Sequence, residues 1–119
     1  MIRQAKELVN LGEKALVVFT RDMHFEYDGN GAGYTGYWKT KDATLAQIDK
    51  VIVYVQYANP EKNKVYMGNY SHWVISPEPP RKYIHFTALE DKGITTSNWF
   101  EFGGNAWSPT FYIPKVGVW

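Results

Sequence analysis

An α+β domain built on a small curved antiparallel sheet or β-barrel, with an N-terminal helix and one short helix, is the fold this sequence predicts. Three observations lead there: short runs dense in β-branched and aromatic residues recur along the chain, turn chemistry separates them, and helical spacing is confined to the N-terminus and one short segment. A chain of 119 residues suffices for one core and not for two, so residues 1–119 are taken as a single domain with no internal boundary.

In the opening segment IRQAKELVNLGEK, Ile2, Ala5, Leu8, Val9 and Leu11 fall close to helical spacing, and Gly12 stands where a helix would stop. This predicts an amphipathic helix packed on a sheet. ALVVFT is a short β-rich run. RDMHFEYD continues it with strict alternation, Met23, Phe25 and Tyr27 on one face and Asp22, His24, Glu26 and Asp28 on the other, as in a strand exposed on one side. GNGAG reads as a turn, and Asp42 suits the N-cap of a short helix over ATLAQI. DKVIVYVQY carries the strongest strand signal in the chain, so residues 51–57 are expected to form a central strand, paired antiparallel through the turn ANPEKN with residues 64–70. HWVIS extends that partner or starts another strand after a bend at Gly68. The prolines of PEPPRK interrupt pairing because they lack an amide donor, and KYIHFTAL resumes the β pattern. EDKGITTSN is expected to be a loop, WFEF a short strand, GGNAWSP another loop and TFYIPK the last strand.

Composition narrows the function. Lys and Arg number 13 against 12 Asp and Glu, a net charge of +1, which lacks the positive field of a domain held to nucleic acid chiefly through phosphates but leaves room for a local basic patch. The absence of Cys removes both a disulfide framework and a thiolate zinc site. No apolar run reaches the length of a membrane span, and the N-terminus lacks the core and cleavage site of a signal peptide, so a cytoplasmic location without membrane contact is expected. There is no nucleophile elbow, and no spacing singles out one pair among the acidic residues, so no catalytic residue is assigned. On the polar face of RDMHFEYD, alternate side chains stand about 7 Å apart, and a His with carboxylates is competent to bind metal. A third ligand such as His72 or His85 would have to come from elsewhere, so a solvated face is expected there and the protein is expected to need neither metal nor cofactor. The glycines of GNGAG do not open a helix, which favours a loop over a phosphate cradle.

The rings are the unusual feature. Aromatic residues make up 17% of the chain, and 9 Tyr and 5 Trp against 6 Phe mean that most rings carry a polar handle. In YTGYWKTKD, Tyr34, Tyr37 and Trp38 sit beside Gly33 and Gly36 without an aliphatic residue among them and run straight into charge. A core strand would carry Val, Ile or Leu there, whereas a ligand-binding wall wants flat rings: stacking a base on one is worth about 1–3 kcal/mol and tolerates many bases. Asn69, Ser71 and His72 in GNYSHW, with Gln56 or Asn98, are candidate readers of a base edge, and Lys39, Lys41, Arg81 and Lys82 are candidate phosphate contacts. Alternation groups His85 with Tyr83 and Thr87, opposite Ile84 and Phe86. The alternative for these residues is that Tyr37 and Trp38 cap one end of a barrel while the polar residues line a wet rim.

The YW ahead of a short helix, the strand IDKVIVYVQ, the glycine-bearing strand VYMGNY and RKYIHF after a proline-rich loop together resemble, over residues 37–86, the PUA-like superfamily, particularly its EVE, ASCH and YTH-like branches. The resemblance implies a single PUA-like domain: a compact β-barrel that holds RNA or a modified nucleobase in an aromatic-lined pocket beside the first strand and the following helix, where Tyr37 and Trp38 stand here. The function expected is therefore non-enzymatic recognition of a nucleotide, modified nucleobase or single-stranded nucleic acid. Tyr37 and Trp38 would form one wall of a concave site, Asn69 and His72 would face them, and Lys39 and Arg81 would complete it. The alternative is a small protein–protein interaction module or inhibitor, of phage or mobile-element origin, that uses a Tyr/Trp-rich surface such as the one around Trp99 and Trp107, with homo-oligomerisation left open. A small nucleotide-directed enzyme using His24, Glu26 or Asp22 is the weakest of the three.

Overall fold

The described residues, 1–59, 62–105 and 107–114 of a computed structural model, form one seven-stranded sheet with short helical turns on its faces. Along the chain come a 3-10 turn (Ala5–Leu8), β1 (Ala15–Thr20), β2 (Phe25–Tyr27), β3 (Gly33–Trp38), α1 (Asp42–Leu45), β4 (Lys50–Val55), β5 (Lys64–Ile75), β6 (Lys82–Ile94), α2 (Trp99–Phe102) and β7 (Thr110–Ile113). The order across the sheet is β2-β3-β6-β5-β4-β1-β7, and every pair is antiparallel except β1 with β4. Pro60 and Glu61 of the expected turn, Ala106 of the last expected loop and Lys115 of the last expected strand lie outside the described residues.

The α+β class holds, with two corrections. The sheet is mixed, because β2, β3 and α1 intervene between β1 and β4 and make a crossover long enough to bring the chain back in the same direction. It is also open, because β2 pairs only with β3 and β7 only with β1, so no barrel closes.

The strand expected at residues 51–57 is β4, and it pairs antiparallel with β5 from Lys50 opposite Asn69 to Val55 opposite Lys64. Its continuous apolar run, like that of β1, reflects burial on both sides. Leu16, Val18, Val51, Val53 and Val55 point into an inner cluster with Trp38, Leu45, Ile48, Tyr66, Ile84 and Phe86. Ala15, Val17, Ile52 and Tyr54 point the other way, into an outer cluster with Ala5, Val65 and Phe102. The Tyr54 hydroxyl is satisfied inside that cluster, donating to the Ser97 carbonyl at 2.7 Å and accepting from Asn63 Nδ2 at 3.0 Å. The sheet curls over its inner face. Phe25 of β2 meets Tyr66 of β5 edge-on at 5.3 Å although two strands separate them in the sheet.

Tertiary packing overrides propensity at the N-terminus. The expected helix over residues 2–14 is reduced to the single 3-10 turn, and Val9 is already extended. Ile2, Leu8 and Val9 pack on the outer cluster around fully buried Ala5, Thr95 Oγ1 donates to the Ile2 carbonyl at 2.6 Å, and Leu11, which a helix would have turned inward, is fully exposed. Extended chain reaches more of the sheet than a helix of the same length. In RDMHFEYD, Asp22 and His24 adopt left-handed backbone (φ 63 and 51), and Thr20 Oγ1 bonds both N–H and C=O of Met23, so the strand starts only at Phe25. The alternation survives where the strand exists, since Phe25 and Tyr27 both contact Tyr66.

HWVIS does not start a new strand but completes β5, and β6 runs through the expected loop as far as Ile94. Register shifts at Val65/Tyr66, Met67/Asn69 and Tyr70/His72 bend this long hairpin. Its near half pairs with β4 and its far half with β3, which joins β6 from Gly33 opposite Phe86 to Trp38 opposite Lys82. WFEF, expected as a strand, is instead α2. Asn98 Oδ1 accepts from Glu101 N at 2.9 Å while Glu101 Oε1 accepts from Asn98 N at 3.1 Å, a reciprocal cap written in the sequence as Asn98 three residues ahead of Glu101. Gly104 lies under the Trp99 ring, where a Cβ would come within 2.2 Å of the indole.

Trp38 is the inner cluster's largest ring, 7% exposed, with Nε1 donating to Thr35 Oγ1 at 3.1 Å. Replacing it by Ala is expected to destabilise the domain by about 3–5 kcal/mol in denaturant melts. Trp107→Ala, at a side chain 93% exposed, should stay within about 0.5 kcal/mol of the parent.

Candidate functional site

The outer face of the sheet has two halves. Over β1, β4 and the near half of β5 it is covered by the N-terminal turn and α2. Over β3, β6 and the far half of β5, strand alternation on β6 and the register shift between Thr35 and Trp38 on β3 turn Ile84, Phe86, Thr35 and Trp38 inward and leave Tyr34, Tyr37, Tyr83 and His85 outward, each still partly open to solvent. His72 stands opposite His85 in the register and is exposed.

These rings touch in an unbroken series. His24 stacks on Tyr37 with centroids 4.0 Å apart and planes at 18°. Tyr37 meets Tyr83 edge-on at 5.2 Å, Tyr83 meets Tyr34 edge-on at 4.7 Å, and Tyr34 lies 5.7 Å from His85. His85 stacks on His72 at 4.4 Å, nearly parallel at 9°. Gly36 makes the series possible, because a Cβ there would come within 2.6 Å of Tyr83 Cδ1, so only glycine lets that ring settle against β3.

The polar edges of the rings are engaged as well. Tyr34 donates its hydroxyl to Glu26, and that hydrogen bond, ahead of burial, pushes its phenol up to about 12. The Tyr37 and Tyr83 hydroxyls lie 3.4 Å apart, and this contact holds the Tyr37 phenol above its ordinary value. Ser71 Oγ is 2.9 Å from His72 Nδ1. Cations flank both ends. Arg21 and Arg81 line an open groove of about 340 Å³ that His24, Tyr37 and Glu78 also border, with Arg81 Nη1 donating to the Tyr37 carbonyl at 3.2 Å. At the other end Lys50 Nζ donates to Asn69 Oδ1 at 2.6 Å.

Of the residues expected to form a pocket, Tyr37, Asn69 and His72 therefore share one face, but they are spread along it and do not oppose each other across a cavity. Arg81 sits at the Tyr37 end. Trp38 belongs to the core: it touches the lining of the Arg21–Arg81 groove, yet at its burial it has little ring surface to offer. Plain alternation would put Trp38 on the same side as Tyr34, four residues earlier, but the register shift between Thr35 and Trp38 turns Tyr37 outward and Trp38 inward, so Trp38 cannot share a wall with the exposed rings. Lys39 lies away from the series, in a groove beside α1. The sequence reading missed Tyr34, Tyr83 and His85 as a unit, although the alternation in KYIHF already set Tyr83 and His85 on the face away from Ile84 and Phe86. Missing was the neighbour relation of β3 and β6, which no local pattern encodes. The polar face of RDMHFEYD disperses: His24 stacks on Tyr37, Glu26 binds Tyr34, and Asp28 Oδ1 caps its own turn by accepting from Asn30 N and Ala32 N. Among the described residues no group of three or more His, Asp or Glu side chains comes together, and no helix is long and apolar enough to cross a membrane.

What the fold and the face define is an α+β domain with an open mixed sheet, half of whose outer face is an aromatic surface in contact with solvent. No protein-family model, curated protein or solved structure matches the chain.

Burial, and then the neighbouring His72, hold the His85 imidazole below its ordinary value of 6.5. The unfolded chain binds that proton more tightly than the folded protein, so the stability His85 contributes is complete above about pH 6.5 and is lost as pH falls through its lowered folded value. His85→Gln should flatten the fall in melting temperature between about pH 7 and pH 5. Thermal melts of both proteins across that range measure it.

Proposed function

We propose that this chain is a non-enzymatic binding domain for single-stranded nucleic acid or its nucleobases, which stack on the ring series of the outer face. The observation that carries the proposal is the continuity of His24, Tyr37, Tyr83, Tyr34, His85 and His72 across adjacent strands while the other half of the same face is covered. Protein interiors gain from burying tyrosine rings, so a row of them left in solvent contact by a sheet favours a planar ligand. An open sheet face that stacks two or three bases is an established mode of recognising single strands, and it needs no enclosed pocket. Asn69 and His72 stand where they can reach base edges, and Arg21, Arg81 and Lys50 can meet phosphates.

The modest net charge sets the form of the binding. With about three phosphate contacts, the slope of log K against log salt should be about −2 or shallower, far from that of a charge-driven binder. Fluorescence anisotropy with short labelled single strands is the measurement. Tyr83→Ala is expected to weaken binding about 5- to 150-fold, equivalent to one lost stacking contact of about 1–3 kcal/mol, with the melting transition kept. Equal affinity for duplex and single strand, or a Tyr83→Ala protein that folds and binds like the parent, would overturn the proposal.

A specific observation also favours the protein-partner reading. Trp107 is 93% exposed and Phe100 60% exposed, and both border an open groove of about 310 Å³ beside Trp99. Exposed Trp of this kind is typical of interface anchors. If that reading holds, Trp107→Ala abolishes association in sedimentation or pull-down measurements and leaves oligonucleotide binding unchanged.

A further inference from the structure

On the inner side of the β3–β6 pair the molecule buries a lysine. Lys82 is 6% exposed, although alternation places it in line with Ile84 and Phe86. A lysine is almost never buried unless paired. Here its ammonium meets Asp42 Oδ1 at 3.0 Å, donates to the Thr40 carbonyl and lies 4.8 Å over the Trp73 ring. Asp42, the only carboxylate in that set, is itself largely in solvent. Lys82 forms the floor of a groove of about 390 Å³ beside α1, whose lining also includes Lys39, Lys41, Thr40, Thr44 and Tyr112 and contains no acidic residue. Among the described residues neither the Lys39 nor the Lys41 ammonium has an ion pair or hydrogen bond. Thr40 Oγ1 is buried there without a hydrogen-bond partner, and a buried hydroxyl in that condition calls for a ligand or a water.

We propose that this groove is a binding site for a tetrahedral oxyanion of the phosphate class, either free or as a phosphomonoester. Three lysines line it, against a single exposed carboxylate that can swing into solvent when an anion takes its place on Lys82. The Thr40 hydroxyl supplies a donor that the protein itself leaves unused. The chemistry is that of charge-assisted hydrogen bonds to several oxygens at once. The groove faces away from the ring series, so the inference stands whether or not the rings bind a base.

The test is a titration of the intact protein with sodium phosphate against sodium chloride at matched ionic strength. Trp73 emission and the backbone amide shifts of Thr40, Lys41 and Lys82 report binding. A saturable response to phosphate and none to chloride is expected. Lys82→Gln should weaken it at least tenfold. Because that substitution alters a buried position, Thr40→Val and the double variant Lys39→Gln, Lys41→Gln are measured as well, each expected to weaken phosphate several-fold at an unchanged melting temperature. Glycerol phosphate forms the second arm: tighter binding than inorganic phosphate assigns the groove to a phosphomonoester, and weaker binding assigns it to the free anion. No saturable response at millimolar phosphate, an equal response to chloride, or folded Thr40 and Lys39/Lys41 variants that bind like the parent would overturn the proposal.

Discussion

The parallel pairing of β1 with β4 is the constraint on which the rest of the structure depends. Both strands are apolar on both sides, so both faces of the sheet have to be covered at that point. In a short chain whose helices are single turns, little cover is available. α1 and the curl of β2 and β3 close the inner face. The N-terminal segment and α2 close the outer face, but only above β1, β4 and the near part of β5. The far half of the outer face is what that cover does not reach. Its aromatic character thus follows from a division of labour set at the centre of the sheet, and small shifts in the β1–β4 register would move that boundary.

How much of this was legible in the sequence depends on the range of the interaction concerned. The β4 strand and its antiparallel pairing with β5 follow from β-branched density and turn residues, which act locally. A short helix ahead of β4 and the alternation of KYIHF were equally visible, although the helix runs from Asp42 to Leu45 instead of over ATLAQI and Lys41, not Asp42, takes the cap position. The N-terminal helix failed because its apolar spacing is also satisfied by an extended segment docked on the sheet, and only the sheet decides between them. WFEF failed for a different reason: its aromatic residues suggested a strand, while the capping pair Asn98 and Glu101 already marked a helix. Mixed topology and an open edge depend on which strands meet across long separations, and no local pattern carries that. The same limit applies to the site. Tyr37 and His72 were picked out singly, but what joins them is Tyr83, Tyr34 and His85 on strands distant in sequence, and Trp38 was misplaced because a bulge between Thr35 and Trp38 changes which side chains look outward.

The two sides of the β3–β6 pair offer contrasting chemistry. Outward it presents rings in mutual contact, with the Tyr34 hydroxyl on Glu26, His72 beside Ser71 and the Tyr37 and Tyr83 hydroxyls on each other. Inward, beside α1, it presents lysines whose charge is only partly met. The near-neutral balance of the whole chain hides this separation, since an average over 119 residues cannot show that basic groups gather in one groove and at the ends of one ring series. Local charge, not net charge, sets the field at each of these two surfaces.

The overhang of the β5–β6 hairpin has a further consequence. β4 ends its pairing at Lys50 opposite Asn69, and Tyr70 N still finds the Asp49 carbonyl, but β5 continues to Ile75 with β6 on one side only. Its last residues, Trp73, Val74 and Ile75, are exposed and apolar. A strand with one open side and side chains of this kind is a template onto which another chain can add, the first step of edge-to-edge aggregation. The register break between Tyr70 and His72 sits at the base of the overhang, where the added twist makes a flat, extended match with a second strand harder to achieve. The irregularity that steers the hairpin from β4 to β3 thereby also works against that edge-to-edge addition.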